Sequence, residues 1–153
     1  MKSGSSCVGT GGSGKHLVAD FWDCRLPDSE IGWRRLIESA VAAMDATLLG
    51  LHVHLFEPQG ATAVAILSES HLAVHTWPER DYVAVDVFTC GESVRPEDGI
   101  ETLRRELQPS RERILEIDRG ASPSASIKDA RSDCASDELV PTSDAGGPAW
   151  RSL

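Results

Sequence analysis

Ser70 follows Glu69, with His75 five residues on and Cys90 twenty residues on. A serine hydroxyl can attack the carbonyl of the residue before it and turn that amide into an ester. β-Elimination of the ester then gives a dehydroalanine, and tautomerisation with hydrolysis leaves a pyruvoyl group at a new N-terminus. This chemistry needs a base for the proton movements and donors for the oxyanion that forms at Glu69. His75 can serve as base near neutral pH, and a cysteine thiol can later donate a proton. A Ser-x4-His spacing alone is common and carries no chemistry by itself.

The elements that must hold these groups are short and regular. His16–Asp23 reads as a strand. Pro27-Asp28-Ser29-Glu30 opens a helix with Asp28 or Ser29 as its N-cap, running to about Ala46. Its apolar positions, Ile31, Leu36, Ile37, Ala40, Val41 and Met44, follow helical spacing. Strands are then predicted over Thr47–Phe56, Thr62–Leu67, His71–Trp77 and Tyr82–Thr89, with turns at Pro58-Gln59-Gly60 and Pro78–Asp81. Connections this short require antiparallel pairing. A helix over Pro96–Leu107 and a last strand over Arg111–Ile117 complete the set. The fold class expected is α+β: a two-layer α/β sandwich, mainly an antiparallel sheet with helices on one face. Residues 1–14 read as a flexible tail, 15–119 as the one domain, and 120–153, rich in Ser, Asp, Ala, Gly and Pro, as a disordered tail.

Composition narrows the partners. Fifteen Lys+Arg against 24 Asp+Glu give a formal charge of -9, which argues against nucleic acid or an anionic membrane. No apolar run approaches the roughly 20 residues of a membrane span, and nothing at the N-terminus reads as a secretory signal. None of Cys7, Cys24, Cys90 and Cys134 forms a C-x-x-C pair, and a reducing cytoplasm is the expected compartment. Gly11–Lys15 is no phosphate-binding loop, since it follows no strand and His16 stands where Ser or Thr is needed.

Glu69-Ser70-His71-Leu72-Ala73-Val74-His75-Thr76-Trp77-Pro78-Glu79 and Val85–Gly91 closely resemble the prokaryotic S-adenosylmethionine decarboxylases, which are pyruvoyl-dependent and made as self-processing proenzymes. His16–Phe21 and the segment His54 to Thr62 share the resemblance, which covers roughly residues 15–119. It implies cleavage between Glu69 and Ser70, with Ser70 becoming the pyruvoyl that condenses with the substrate amine as a Schiff base. No metal or pyridoxal phosphate is expected. His75 matches the processing histidine and Cys90 the catalytic proton donor. Glu79 matches a carboxylate that holds the substrate's ribose hydroxyls, and Phe56 an aromatic at the nucleoside site. Thr62 falls where some relatives carry a processing serine. The substrate implied is S-adenosylmethionine, for polyamine biosynthesis, and the assembly a homodimer with sites at or near the interface.

Two other readings are open at this stage. The same pyruvoyl chemistry could act on arginine or ornithine. His52, His54, Glu69, His71 and His75 could instead form the metal site of a small cupin-like protein, since His52 and His54 share one strand face. Of the remaining candidates, Cys24 is expected in the core and Trp77 in packing.

Overall fold

Alternation of burial, regular in the third and fifth strands, builds the sheet. In the computed structural model, which describes residues 14–91, 93–120 and the backbone of 128–132, seven strands are hydrogen-bonded in the order β2-β3-β4-β5-β1-β6-β7. They are β1 (Gly14–Trp22), β2 (Leu48–Leu55), β3 (Ala61–Leu67), β4 (Ser70–Trp77), β5 (Tyr82–Thr89), β6 (Arg111–Arg119) and β7 (Lys128–Ser132). Every pairing is antiparallel. β1 lies between β5 and β6, so the first strand of the chain is central to its second half.

One face of the sheet carries Leu17, Ala19 and Phe21 of β1, Ala61, Ala63, Ala65 and Leu67 of β3, Leu72 and Val74 of β4, and Val83, Val85 and Val87 of β5. Successive strand residues point to opposite faces, so this set is a single apolar surface. It is covered by α1 (Glu30–Ala43) and α2 (Pro96–Leu107). Buried Trp33, Leu36, Ile37, Ala40 and Val41 form the inner stripe of α1 at the 3-and-4 spacing of a helix. The α+β sandwich with helices on one face is therefore the architecture observed.

Local chemistry sets the helix ends. Ser29 is the N-cap of α1, its hydroxyl accepting the Gly32 N–H at 3.2 Å. The helix stops at Ala43, earlier than the Ala46 the periodicity predicts. Asp45 turns left-handed (φ 57), and the Ala46 N–H reaches back to the Val41 carbonyl at 3.3 Å. Met44 is still fully buried, which is why the apolar pattern runs past the end of the helix. A Cβ at Gly99 of α2 would overlap the Met44 side chain, so that glycine lets the two helices approach closely. At the start of α2, Pro96 occupies the first turn with Glu97 and Asp98, where the missing donor and the acidic side chains suit the helix dipole.

Both domain boundaries differ from expectation. Gly14, assigned to the N-terminal tail, is the first residue of β1 and pairs with Arg119. The strand Arg111–Ile117 is not the last: it extends to Arg119, and β7 adds to its free edge within the segment 120–153 read as disordered. Lys128-Asp129-Ala130-Arg131-Ser132 has no apolar alternation to reveal a strand, and backbone pairing alone places it. The rest of both tails, including Cys7 and Cys134, lies outside the described residues.

Candidate active site

The turn between β3 and β4 is held tightly. The Ser68 N–H donates to the Thr47 carbonyl at 2.9 Å, and the Thr47 N–H donates to Glu69 Oε2 at 3.0 Å. The β4–β5 register places Ser70 opposite Thr89, so Glu69 and Cys90 meet just beyond the last paired residues. There the Glu69 carbonyl oxygen accepts two hydrogen bonds from one residue: the Cys90 N–H at 3.0 Å and the Cys90 thiol at 3.3 Å. Ser70 itself has φ 145, a backbone state that non-glycine residues rarely adopt. Its Oγ lies 3.2 Å from His71 Nδ1. A hydroxyl, a polarised preceding carbonyl and an imidazole are thus assembled around one peptide bond. Glu69, Ser70 and Cys90, separated by up to 21 positions, are brought together.

His75 is placed otherwise. Ser70 is the first residue of β4 and His75 the sixth, with the strand extended between them. At a rise of about 3.3 Å per residue their Cα atoms are roughly 16 Å apart. The expectation that five residues keep His75 beside the scissile bond fails within one chain, because the intervening residues are extended rather than turned. His75 instead pairs with Thr62, Nδ1 to Oγ1 at 3.0 Å, directly across the β3–β4 ladder. Phe56 and Glu79 lie at this same far end. Phe56 is 48% exposed and meets His54 edge-on at 4.6 Å between ring centroids. Glu79 sits exposed in the single turn Pro78–Arg80 that links β4 to β5. A cavity of about 380 Å³ opens here, lined by Trp33, Phe56, Pro58, Gly60, Thr76 and Pro78. A larger one, about 490 Å³, lies between Arg25, Arg35 and Glu106 and contains none of these candidate residues.

The face of the sheet away from the helices joins the two ends. It presents His71, Ala73, His75 and Trp77 of β4 beside Phe88, Asp86, Ala84 and Tyr82 of β5. Trp77 stacks on Tyr82 at 5.4 Å and 26°, so its role is packing on this open face rather than in the core. His16 Nε2 is 3.3 Å from Asp86 Oδ1, and Tyr82 Oη donates to Asp20 Oδ1 at 2.5 Å. Burial first, and then the Asp20 bond, push the Tyr82 phenol up to about 12. A raised folded-state value means that this contribution to stability is complete below about 10, the value of an unfolded tyrosine. It is lost as the pH rises to about 12. Tyr82→Phe is expected to flatten the decline in melting temperature across that alkaline window while leaving neutral pH unaffected by tyrosine ionisation. Cys24 packs against the core, and its thiol is pushed up to about 11 by burial and by Asp23.

Residues 15–120 match the family model for S-adenosylmethionine decarboxylase. The chain is 46% identical over 110 residues to an S-adenosylmethionine decarboxylase proenzyme of Methanococcus aeolicus, an alignment covering 71% of this chain and 94% of the relative. It is 47% identical over 108 residues to the proenzyme of Thermomicrobium roseum, covering 70% and 93%. The crystal structure of the adenosylmethionine decarboxylase from Aquifex aeolicus superposes with a TM-score of 0.67 at 32% identity, covering 75% of this chain and 97% of that one. The chain belongs to the S-adenosylmethionine decarboxylase family.

Membership bears on the metal alternative, which the geometry also disfavours. His52 and His54 stand on β2, separated from His71 and His75 of β4 by the whole of β3. Among the described residues, no three His, Cys, Asp or Glu side chains converge as metal ligands. Lys15, in the glycine-rich segment, lies on β1 and is paired with Glu97 at 2.5 Å. Sequence reasoning missed two members of the site, Thr47 as a clamp on Glu69 and His71 as the neighbour of Ser70 Oγ. The signal for His71 is its adjacency to Ser70 in the sequence.

Proposed function

We propose that this decarboxylase-family chain cuts itself between Glu69 and Ser70, converts Ser70 to a pyruvoyl group and uses it to decarboxylate S-adenosylmethionine. One observation carries the reading: the Glu69 carbonyl rests in the Cys90 N–H and thiol donors while the strained Ser70 stands next to it. Donors already in place where negative charge will develop are the main device for stabilising such a step. In processing, Ser70 Oγ bonds to the Glu69 carbonyl carbon and the C–N bond breaks, leaving an ester. Loss of the Ser70 Cα proton expels Glu69 as a carboxylate. Water then hydrolyses the tautomerised product and releases ammonia.

The residues around position 70 suit the group so made. A pyruvoyl carbonyl supplies an electron sink for the departure of carbon dioxide once joined to the substrate amine. Cys90 Sγ, 3.3 Å from the Glu69 oxygen, holds a proton beside that position for return to the substrate α-carbon. Phe56 offers a face for the adenine and Glu79 a carboxylate for the ribose hydroxyls.

Phe56, Glu79 and the Thr62–His75 pair are too far along β4 to serve the Ser70 of their own chain. A homodimer resolves this. Two open faces stacked with their β4 strands antiparallel bring the partner's His75 over Ser70, and the reverse. Exposed Ile66 and Trp77, with Phe88 and Val64, give that face the apolar surface such stacking needs. Carbon dioxide release should be measured with S-adenosylmethionine, arginine and ornithine in turn. Release from S-adenosylmethionine alone is expected; release only from arginine or ornithine would overturn the substrate assignment.

A further inference from the structure

We infer that His71 is the base that takes the proton of Ser70 Oγ in the first processing step, leaving His75 to the later elimination. The inference rests on the self-cleavage reading above. His71 Nδ1 is 3.2 Å from Ser70 Oγ, whereas His75 Nδ1 is engaged with Thr62 Oγ1 at 3.0 Å, five residues further along the extended β4.

Adjacent residues in a strand ordinarily point to opposite faces and their side chains do not meet. The positive φ of Ser70 breaks that alternation, so its hydroxyl reaches the ring of the next residue. The imidazole is then fixed from both sides. Its cross-strand neighbours are Phe88 on β5 and Ile66 on β3. Phe88 meets the His71 ring in a T-shaped contact at 6.1 Å. Phe88 is in turn packed by His16 at 5.5 Å and by the Arg119 guanidinium at 5.5 Å. With its proton on Nε2, His71 presents a lone pair on Nδ1 to the serine hydroxyl. The titratable and charged groups around it are Glu69 and Cys90 beyond Ser70, and the His16–Asp86 pair with Arg119 across Phe88.

The step balances within these groups. Nδ1 takes the Oγ proton as the Oγ–C bond forms. The carbonyl oxygen carries the charge, held by the Cys90 N–H. The C–N bond then breaks and the same proton passes from His71 to the Ser70 nitrogen, leaving an ester and an amine. No oxidant or outside reactant enters before elimination begins.

Cleavage of freshly folded full-length protein should be followed by intact mass, with and without hydroxylamine, which cuts the ester but not the amide. Wild type should yield the Glu69/Ser70 fragments; if it does not, self-cleavage itself fails before His71 is in question. With wild-type cleavage established, His71→Ala should slow it by about 10²–10⁴-fold. The precursor should remain resistant to hydroxylamine, because it stalls as the amide, and added imidazole should accelerate its cleavage. His71→Asn, which keeps a polar side chain without a basic nitrogen, should stall at the same stage, and it is the variant to read if Ala lowers the melting temperature. Wild-type rates in both variants would overturn the inference. So would a hydroxylamine-sensitive stall, which would place His71 after the acyl shift. So would a folded His71→Ala that imidazole does not accelerate.

Discussion

Purified wild-type protein is expected to contain two chains, Met1–Glu69 and a second running to Leu153 that begins with a ketone in place of an amine. Ser70→Ala should remain one chain under every condition that cleaves wild type. Without Oγ there is no ester, and without the ester no carboxylate to expel, so the effect is abolition rather than slowing. The fold should survive, because the β3–β4 turn is held by Thr47 through backbone and Glu69 side-chain bonds that do not involve the serine hydroxyl. A blocked N-terminus on the second chain separates this outcome from proteolysis, which would leave a free amine. An intact wild-type chain after prolonged incubation would refute the assignment of Ser70.

Cys90→Ala and His75→Ala should fail at different stages. Cys90 offers both an N–H and a thiol to Glu69, and alanine removes only the thiol, so processing should continue, more slowly. Decarboxylation should fall by about 10²–10⁴-fold, the usual cost of losing a positioned proton donor. His75→Ala should accumulate precursor that hydroxylamine cuts between Glu69 and Ser70. Co-expressing His75→Ala with Ser70→Ala adds a test of the shared site. A mixed dimer holds one intact Ser70 facing the partner's intact His75, so part of the His75→Ala chain should regain processing. Rapid cleavage in His75→Ala alone, or full turnover in Cys90→Ala, would show that these roles are misassigned.

The strands that carry the site were legible as short β-branched and apolar runs bounded by turn residues, and α1 because apolar residues recur every three or four positions. β7 was not, since an edge strand of charged and small residues depends on backbone bonds rather than on an apolar face. The meeting of Glu69 with Cys90 was implicit in the register. A turn at Pro78–Asp81 sets Trp77 against Tyr82, and counting back along both strands brings Ser70 to Thr89. The position of His75 misled for a related reason. Five residues are few in sequence but long in a strand, which rises about 3.3 Å with each residue.

The central place of β1 gives cleavage an unusual outcome. The break at Glu69 would divide the sheet's strands between two polypeptides, with β1, β2 and β3 in the first and β4 through β7 in the second. Yet β1 is bonded along one edge to β5 and along the other to β6, and α1 packs with α2 in one core. The fragments are interleaved like the fingers of clasped hands, so scission severs the backbone without releasing either piece. Folding must then precede cutting. The uncut precursor can rebuild its protomer within a single molecule. The mature form, once denatured, must bring two separate molecules together, and recovery of each protomer should depend on their concentration.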